Sequence, residues 1–357
     1  MSWWLHPLPA PQALQALRHD WDRLNREGPN TPLLSTTFML PLLAHFAGGR
    51  EVLACRGSSG RLSAMVLLSP QGQGRWQTFQ PSQAPLGACV HQRDLDWIAC
   101  LTDLLPQLPG FATLLGVTQQ DPDLEPRPAD ALNMRTLDYI RTARITIDGS
   151  FDDYWQARGK NLRINLKKQR SRLEREGIAT QLQIDTGANA VRQAIVDYGN
   201  LEGAGWKGER GTAVHPGNAQ GRFYQQLLEN FCRIGKGRIY RYWYNDRVMA
   251  MDLCIEGSDS LIVLKTAYDE TAAGSSSPAL LMRQEAVALM FSEPRLRQIE
   301  FYGRVLEWHT RWTNEVRTMF HCNVYRWQLL RALRDLLRRK PADADVDINA
   351  AETPPQS

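Results

Sequence analysis

The stretch KTAYDETAAGSSSPALLMRQEAVALMF, Lys265 to Phe291, decides how the rest of the chain is read. It opens in a run that reads as a strand, passes through Gly274-Ser275-Ser276, and enters an apolar pattern of helical length. Ser277 followed by Pro278 is a helix entry: serine suits the N-cap, and proline suits the first helical position, where its missing N–H costs nothing. The Gly/Ser run ahead of it offers several backbone N–H groups with little side-chain obstruction at the positive end of a helix dipole, which suits a phosphate. On these residues alone, a plain helix entry and a phosphate site both stay open.

Working outward, the residues before Lys265 read as a three-strand meander. GRIYRYWY turns at Asn245-Asp246 into RVMAMDLCIE, which turns at Gly257-Ser258-Asp259 into SLIVLKTAYD. After the helix comes a strand, RQIEFYG, then a loop with Glu307, Trp308, His309, Arg311 and Trp312, then a strand TMFHCNVYR. Upstream, ARITID reads as a strand, Phe151 to Glu176 as one helix, ATQLQID as a strand, and AVRQAIVDYGNLE and GRFYQQLLENFCRI as helices. The first 142 residues show a similar alternation. A helix with Leu14, Leu17, Trp21 and Leu24 on one face precedes two strands in EVLACRGSSGRLSAMVLLSP, a helix at RDLDWIACLTDLLPQL, a strand at FATLLGV, and a Pro-rich loop from Asp121 to Pro128. The similar element order suggests an internal duplication, with no residue-level repeat to accompany it.

Length and composition set the frame. At 357 residues two domains are expected, divided at 142/143, with residues 341–357 as a disordered acidic tail. The 43% hydrophobic content suffices for real cores. The six cysteines and seven histidines show no metal-ligand spacing, so neither disulfides nor a metal centre is expected, and the cysteines read as small buried hydrophobes. No window approaches a membrane span, and the N-terminus lacks the pattern of a secretory signal, so a cytoplasmic location is expected.

Charge is unevenly spread. Residues 1–142 hold 11 Arg, no Lys and 12 acids, whereas residues 143–340 hold 31 bases and 22 acids, a net of +9. Eight of those bases lie between Arg158 and Arg175. There Leu162, Leu166, Gln169 and Leu173 share one helical face, and Lys160, Arg163, Lys167 and Arg170 share another. A solvated basic face explains the pattern. So does a platform for an anionic partner such as a nucleotide, an acidic glycan, a transfer RNA or a lipid head group. The glycine-rich LEGAGWKGERGTAVHPG presents Trp206 and Lys207 and reads as a substrate-facing lid. Leu329, Leu330, Leu333, Leu336 and Leu337 line one face of a basic C-terminal helix, which leaves peripheral membrane contact open.

Taken together, the meander, the AGSSSPALL loop, the helix, IEFYG and EWHTRWT resemble the acetyltransferase domain of the GNAT superfamily. The phrases LEGAGWKGERGTA, KNLRINLKKQRSRLEREG and SPALLMRQEA are similar to the subgroup of cellulose-biosynthesis-associated (CelD-like) acetyltransferases, related to Fem-type peptidyltransferases. The resemblance covers about residues 150–327. It implies an α/β fold of tandem GNAT-like domains, with mixed central sheets flanked by helices and a degenerate first half. It further implies acetyl-CoA or another acyl-CoA as co-substrate. The pantetheine arm would lie along Leu264, Lys265 and Thr266, and the pyrophosphate on Gly274, Ser275, Ser276, Ser277, Pro278 and Ala279. Ala279 stands where the subgroup usually has glycine.

The implied chemistry is direct acyl transfer to an amine. Such transfer needs a base for the amine, polarisation of the thioester carbonyl, and a proton for the departing thiolate. The candidates for proton transfer are Asp269 or Glu270, Glu300, Tyr302 and His309; Trp206, Lys207, Trp308 and Arg311 are candidates for contacting the acceptor. The expected function is N-acylation, N-acetylation in the first instance, of an amine on a cell-envelope or exopolysaccharide precursor. Two alternatives stand beside it: a Fem-type peptidyltransferase fed by aminoacyl-tRNA, and a noncatalytic module binding nucleic acid or a membrane surface through its basic helices.

Overall fold

In the computed structural model, which describes residues 2–58, 60–203, 214–271 and 277–332, the described strands join in one mixed sheet. They are β1 (Ser2–Leu5), β2 (Val52–Ser58), β3 (Arg61–Gly72), β4 (Arg75–Thr78), β5 (Cys89–His91), β6 (Leu114–Gln120), β7 (Met134–Thr146), β8 (Thr180–Asp185), β9 (Gly237–Tyr244), β10 (Arg247–Glu256), β11 (Ser260–Tyr268), β12 (Gln298–Phe301) and β13 (Val316–Tyr325). Their order is β1-β2-β3-β4-β6-β13-β7-β12-β11-β10-β9-β8, with β5 on β3.

That order contains a duplication. In the first half the antiparallel run β2-β3-β4 is followed by a helix, α4 (Trp97–Leu104), and then by β6 parallel to β4. In the second, the antiparallel run β9-β10-β11 is followed by a helix, Pro278–Phe291, and then by β12 parallel to β11. The two units join through two long strands. β7 pairs with β12, and β13 crosses back to pair with β6, while β7 and β13 pair with each other. The strand expected at Ala143 therefore begins at Met134, and a division at 142/143 falls inside β7.

Helices cover both faces. On one lie α1 (Ala10–Ala16), α2 (Arg18–Glu27), α3 (Thr36–Phe46), α7 (Ala188–Gly203) and α8 (Ala219–Arg233), which share a core that includes Trp21, Phe38, Tyr198, Phe223 and Leu253. On the other, α4 covers the first half, and α5 (Phe151–Gln156), α6 (Lys160–Arg175) and α9 (Pro278–Phe291) cover the second. The helix expected from Phe151 to Glu176 breaks at Gly159, which becomes the N-cap of α6, and the first expected helix breaks at Leu17 into α1 and α2. The leucine face of α6 is as expected, with Leu162, Leu166 and Leu173 buried. All six cysteines are buried. Among the described residues no helix is long and apolar enough to cross a membrane. The stretches 204–213, 272–276 and 333–357 lie outside the described residues, and with them Trp206, Lys207, Gly274, Ser275, Ser276, most of the Leu-rich C-terminal helix and the acidic tail.

Candidate functional site

The site is built where β11 and β12 part. The two strands pair from Ser260↔Gln298 to Val263↔Phe301 and no further. At that point β11 carries a bulge: Leu253 pairs with Lys265 and Cys254 with Val263, so Leu264 is the extra residue. A bulge bends its strand and increases the local twist, which turns the far end of β11 away from β12. Lys265 to Tyr268 remain bonded to β10 while their β12 side has no strand partner among the described residues. The result is a fork whose open edge is Leu264–Thr266, the edge expected to hold a pantetheine arm. Beyond it, Asp269 shapes the exit from the strand. Its Oδ1 accepts from the Thr271 backbone N–H at 2.9 Å and hydroxyl at 2.6 Å, and its Oδ2 pairs with Arg247.

A buried polar group spans the fork. Arg283, from the second turn of α9, and Asp252, from β10, are each 3% exposed. Arg283 Nη2 donates to Asp252 Oδ1 and Oδ2 at 2.9 and 2.8 Å and to Thr266 Oγ1 at 3.0 Å, and the Thr266 hydroxyl donates to Asp252. Burial lifts the Asp252 carboxyl above its ordinary range, opposed by Arg283 and Thr266. The guanidinium also lies over two rings, Phe301 at 5.1 Å and Trp308 at 4.6 Å. Trp308 belongs to the short helix α10 (Glu307–Thr310) and stacks on His309 at 3.5 Å. Neither Asp252 nor Arg283 stands out in the sequence motifs. Asp252 is a lone charge in an apolar run, MAMDLCI, and that is the signal that marks a buried ionic group; Arg283 has Glu285 two residues on in LLMRQEAVALM and carries no such signal.

The proton-transfer candidates divide around this fork. His309 is buried beside Arg283; its Nδ1 accepts from the Leu306 N–H at 2.9 Å, and burial, with Arg283 close by, pushes its pKa down to about 4. Tyr302 and Glu300 point to the opposite face of the sheet, toward the first half. The Tyr302 hydroxyl donates to Asp121 Oδ2 at 2.9 Å, and Arg317 donates to both Asp121 oxygens at 2.8 and 2.7 Å. Arg317 Nη2 lies 2.8 Å from Glu300 Oε2, and Arg144 3.7 Å from Glu300 Oε1. Burial, more than the neighbouring Asp121 charge, raises the Glu300 carboxyl and the Tyr302 hydroxyl above their usual ranges. This network ties β6, β7, β12 and β13 together, so these two side chains also join the halves. Glu270 and Arg311 are exposed, the latter paired with Glu307 at 2.7 Å.

The phosphate end is partly described. Ser277 is the N-cap residue of α9, but its side chain makes no capping bond; its backbone N–H donates to Gln169 Oε1 of α6 at 2.8 Å. That contact places the basic helix across the start of α9. Arg170 is committed to Glu285 at 2.7 Å and Gln284 at 3.1 Å, whereas Lys160, Lys167 and Lys168 are exposed. The free basic face is thus narrower than the sequence suggests.

The first half has the same strand plan and no open fork. Beyond Gln77↔Gly116 the chain itself fills the gap: Gly87 N–H donates to the Thr118 carbonyl at 3.2 Å and Ala88 N–H to Phe79 at 3.3 Å, while Thr78 and Thr118 join through their hydroxyls at 2.6 Å. A Cβ on Gly87 would sit 2.4 Å from both the Thr118 carbonyl and the Thr78 hydroxyl. Only backbone fits there.

Comparison with known proteins agrees with this geometry. Residues 160–312 match the acetyltransferase (GNAT) domain family. No curated protein matches the chain in sequence. Among solved structures, the chain is similar to the C-terminal domain of a candidate lysylphosphatidylglycerol synthetase from Agrobacterium fabrum, with TM-score 0.54 and 10% identity over 91% of this chain and 95% of that one. It is also similar to FemX, with TM-score 0.55 and 9% identity over 95% of this chain and 100% of that one. At such identities the likeness is one of fold, and it extends over both halves. The chain therefore has a tandem GNAT-like architecture, and the half that carries the open fork matches an acyltransferase domain family.

Proposed function

We propose that the protein is an acyl-CoA-dependent N-acyltransferase, with acetyl-CoA as the first donor to test, in the manner of the CelD-like subgroup. The observation that carries this reading is the fork: an open strand edge at Leu264–Thr266 on the strand that precedes α9 in the chain. An extended amide-bearing arm can hydrogen-bond along such an edge as an added strand would. The CoA pyrophosphate would meet Gly274 to Ala279, with Gln169 giving up the Ser277 N–H, and Lys167 and Lys168 of α6 supply cations nearby.

In the reaction a neutral amine attacks the thioester carbonyl carbon, the C–N bond forms, and the C–S bond breaks with its electron pair leaving on sulfur. The amine's proton goes to a base and the thiolate receives one. Tyr302, which follows the last paired residue of β12 and stays protonated at neutral pH, is the candidate donor to sulfur. His309, neutral above its depressed pKa, is a candidate base through Nε2; Glu300 and Asp269 are the other candidates for that role. The acceptor is proposed to be an amine of a cell-envelope or exopolysaccharide precursor in the cytoplasm.

The test is thiol release from acetyl-CoA with a panel of amino sugars and their nucleotide conjugates, run beside transfer from aminoacyl-tRNA. Amine-dependent release supports the proposal. Transfer from aminoacyl-tRNA with no acetyl-CoA turnover would replace it with the Fem-type reading.

A further inference from the structure

Arg283 is more deeply buried than a fork-spanning strut needs to be, and it is only half used. Among the described residues, all three of its side-chain hydrogen bonds come from Nη2, whereas Nη1 is enclosed and has no partner. A guanidinium is never deprotonated in a protein, so this donor is permanent, and a buried N–H without an acceptor is destabilising. A well-packed apolar pair would often be as stable as a buried ion pair, so simple strength does not explain the arrangement. Position does. Thr266 belongs to the β11 arm past the parting, Phe301 is the last paired residue of β12, and Trp308 follows on α10, so the guanidinium bridges the two arms where they separate.

We infer that Arg283 is a ligand-binding residue whose Nη1 donates to a carbonyl oxygen of the acyl donor's arm as that arm enters the fork. Asp252 already neutralises the guanidinium, so the site favours a neutral acceptor, an amide or thioester carbonyl, over a free carboxylate or phosphate. Trp308, half-buried and resting on the guanidinium, is the cover that moves to admit it. This inference rests on the acyl-CoA reading above.

The test is calorimetric binding of acetyl-CoA, CoA and 3′,5′-ADP, the last lacking the arm, to wild type and Arg283→Lys, with circular dichroism to verify folding. Lysine can keep the contact with Asp252 and Thr266 but has no second arm. Because leaving Asp252 unpaired endangers folding, Asp252→Asn/Arg283→Gln serves as a second, charge-neutral variant. Both should bind acetyl-CoA about tenfold or more weakly, the scale of one charge-assisted hydrogen bond, with 3′,5′-ADP unchanged. An equal loss for CoA assigns the bond to a pantetheine amide; a loss confined to acetyl-CoA assigns it to the thioester. Unchanged acetyl-CoA binding in both variants, or an equal loss for all three ligands, overturns the inference alone. Failure of wild type to bind acetyl-CoA overturns the acyl-CoA reading and the inference with it.

Discussion

Arg317→Met is the perturbation that bears most on how the two halves hold together. Its guanidinium lies between Asp121, bonded at 2.7 and 2.8 Å, and Glu300 at 2.8 Å, with Asp123 at 3.3 Å, and its side chain is 8% exposed. Methionine keeps most of the bulk and leaves two buried carboxylates facing each other. Removing one partner of a buried pair costs about 3–5 kcal/mol, and two stranded carboxylates put this variant at the upper end. Against a typical stability of about 5–15 kcal/mol, that is a large fraction. Urea unfolding at pH 7.5, followed by circular dichroism and tryptophan fluorescence, measures it. The sign of the pH dependence is a second check. Burial already holds the Glu300 carboxyl above its unfolded value, and loss of Arg317 removes the largest opposing influence. A carboxyl raised in the folded state favours folding when protonated, so the deficit should shrink as the pH falls toward 5. Glu300→Gln in the same background should recover part of the loss at pH 7.5. A deficit below about 1 kcal/mol that does not vary with pH would refute the account of this network.

Two further outcomes are expected. Gly87→Ala should destabilise by about 3 kcal/mol or prevent folding, because the added Cβ meets a carbonyl and a hydroxyl at 2.4 Å in the filled fork of the first half; a melting temperature within 2 °C of wild type, on the order of the smallest resolvable change, would show that the gap is not filled as described. His309 should make the protein acid-sensitive. The unfolded imidazole takes a proton as the pH falls through about 6.5, while the folded one resists until about 4, so stability is lost across that window, by up to about 3 kcal/mol. His309→Gln should flatten the profile in urea titrations between pH 7 and 4.5, and parallel slopes would contradict the burial argument.

Much of the second half is legible in the sequence because its strands alternate cleanly around tight turns. β9, β10 and β11 lie where GRIYRYWY, RVMAMDLCIE and SLIVLKTAYD suggest, and the Ser277-Pro278 entry starts α9 as read. β7 is harder to see. Its sequence MRTLDYIRTARIT carries three arginines, of which Arg144 is neutralised by the distant Asp123 and Glu300, so the strand looks like a polar loop until those partners are known. The exchange of β7 and β13 between halves is long-range pairing that no local pattern reports. The basic face of α6 looks wholly free in the sequence because Glu285, which takes up Arg170, lies 115 residues away. At the site, the resemblance to a known fold locates the open edge at Leu264–Thr266, but the Asp252–Arg283 pair appears only once β10 and α9 are brought together.

A crystal structure with CoA bound decides whether the β11–β12 fork is the donor site. The pantetheine arm should lie in the β11–β12 fork, hydrogen-bonded to the backbone of Leu264 to Thr266, with the pyrophosphate at the start of α9. An arm bound anywhere else, with the Leu264–Thr266 edge left free, would contradict it.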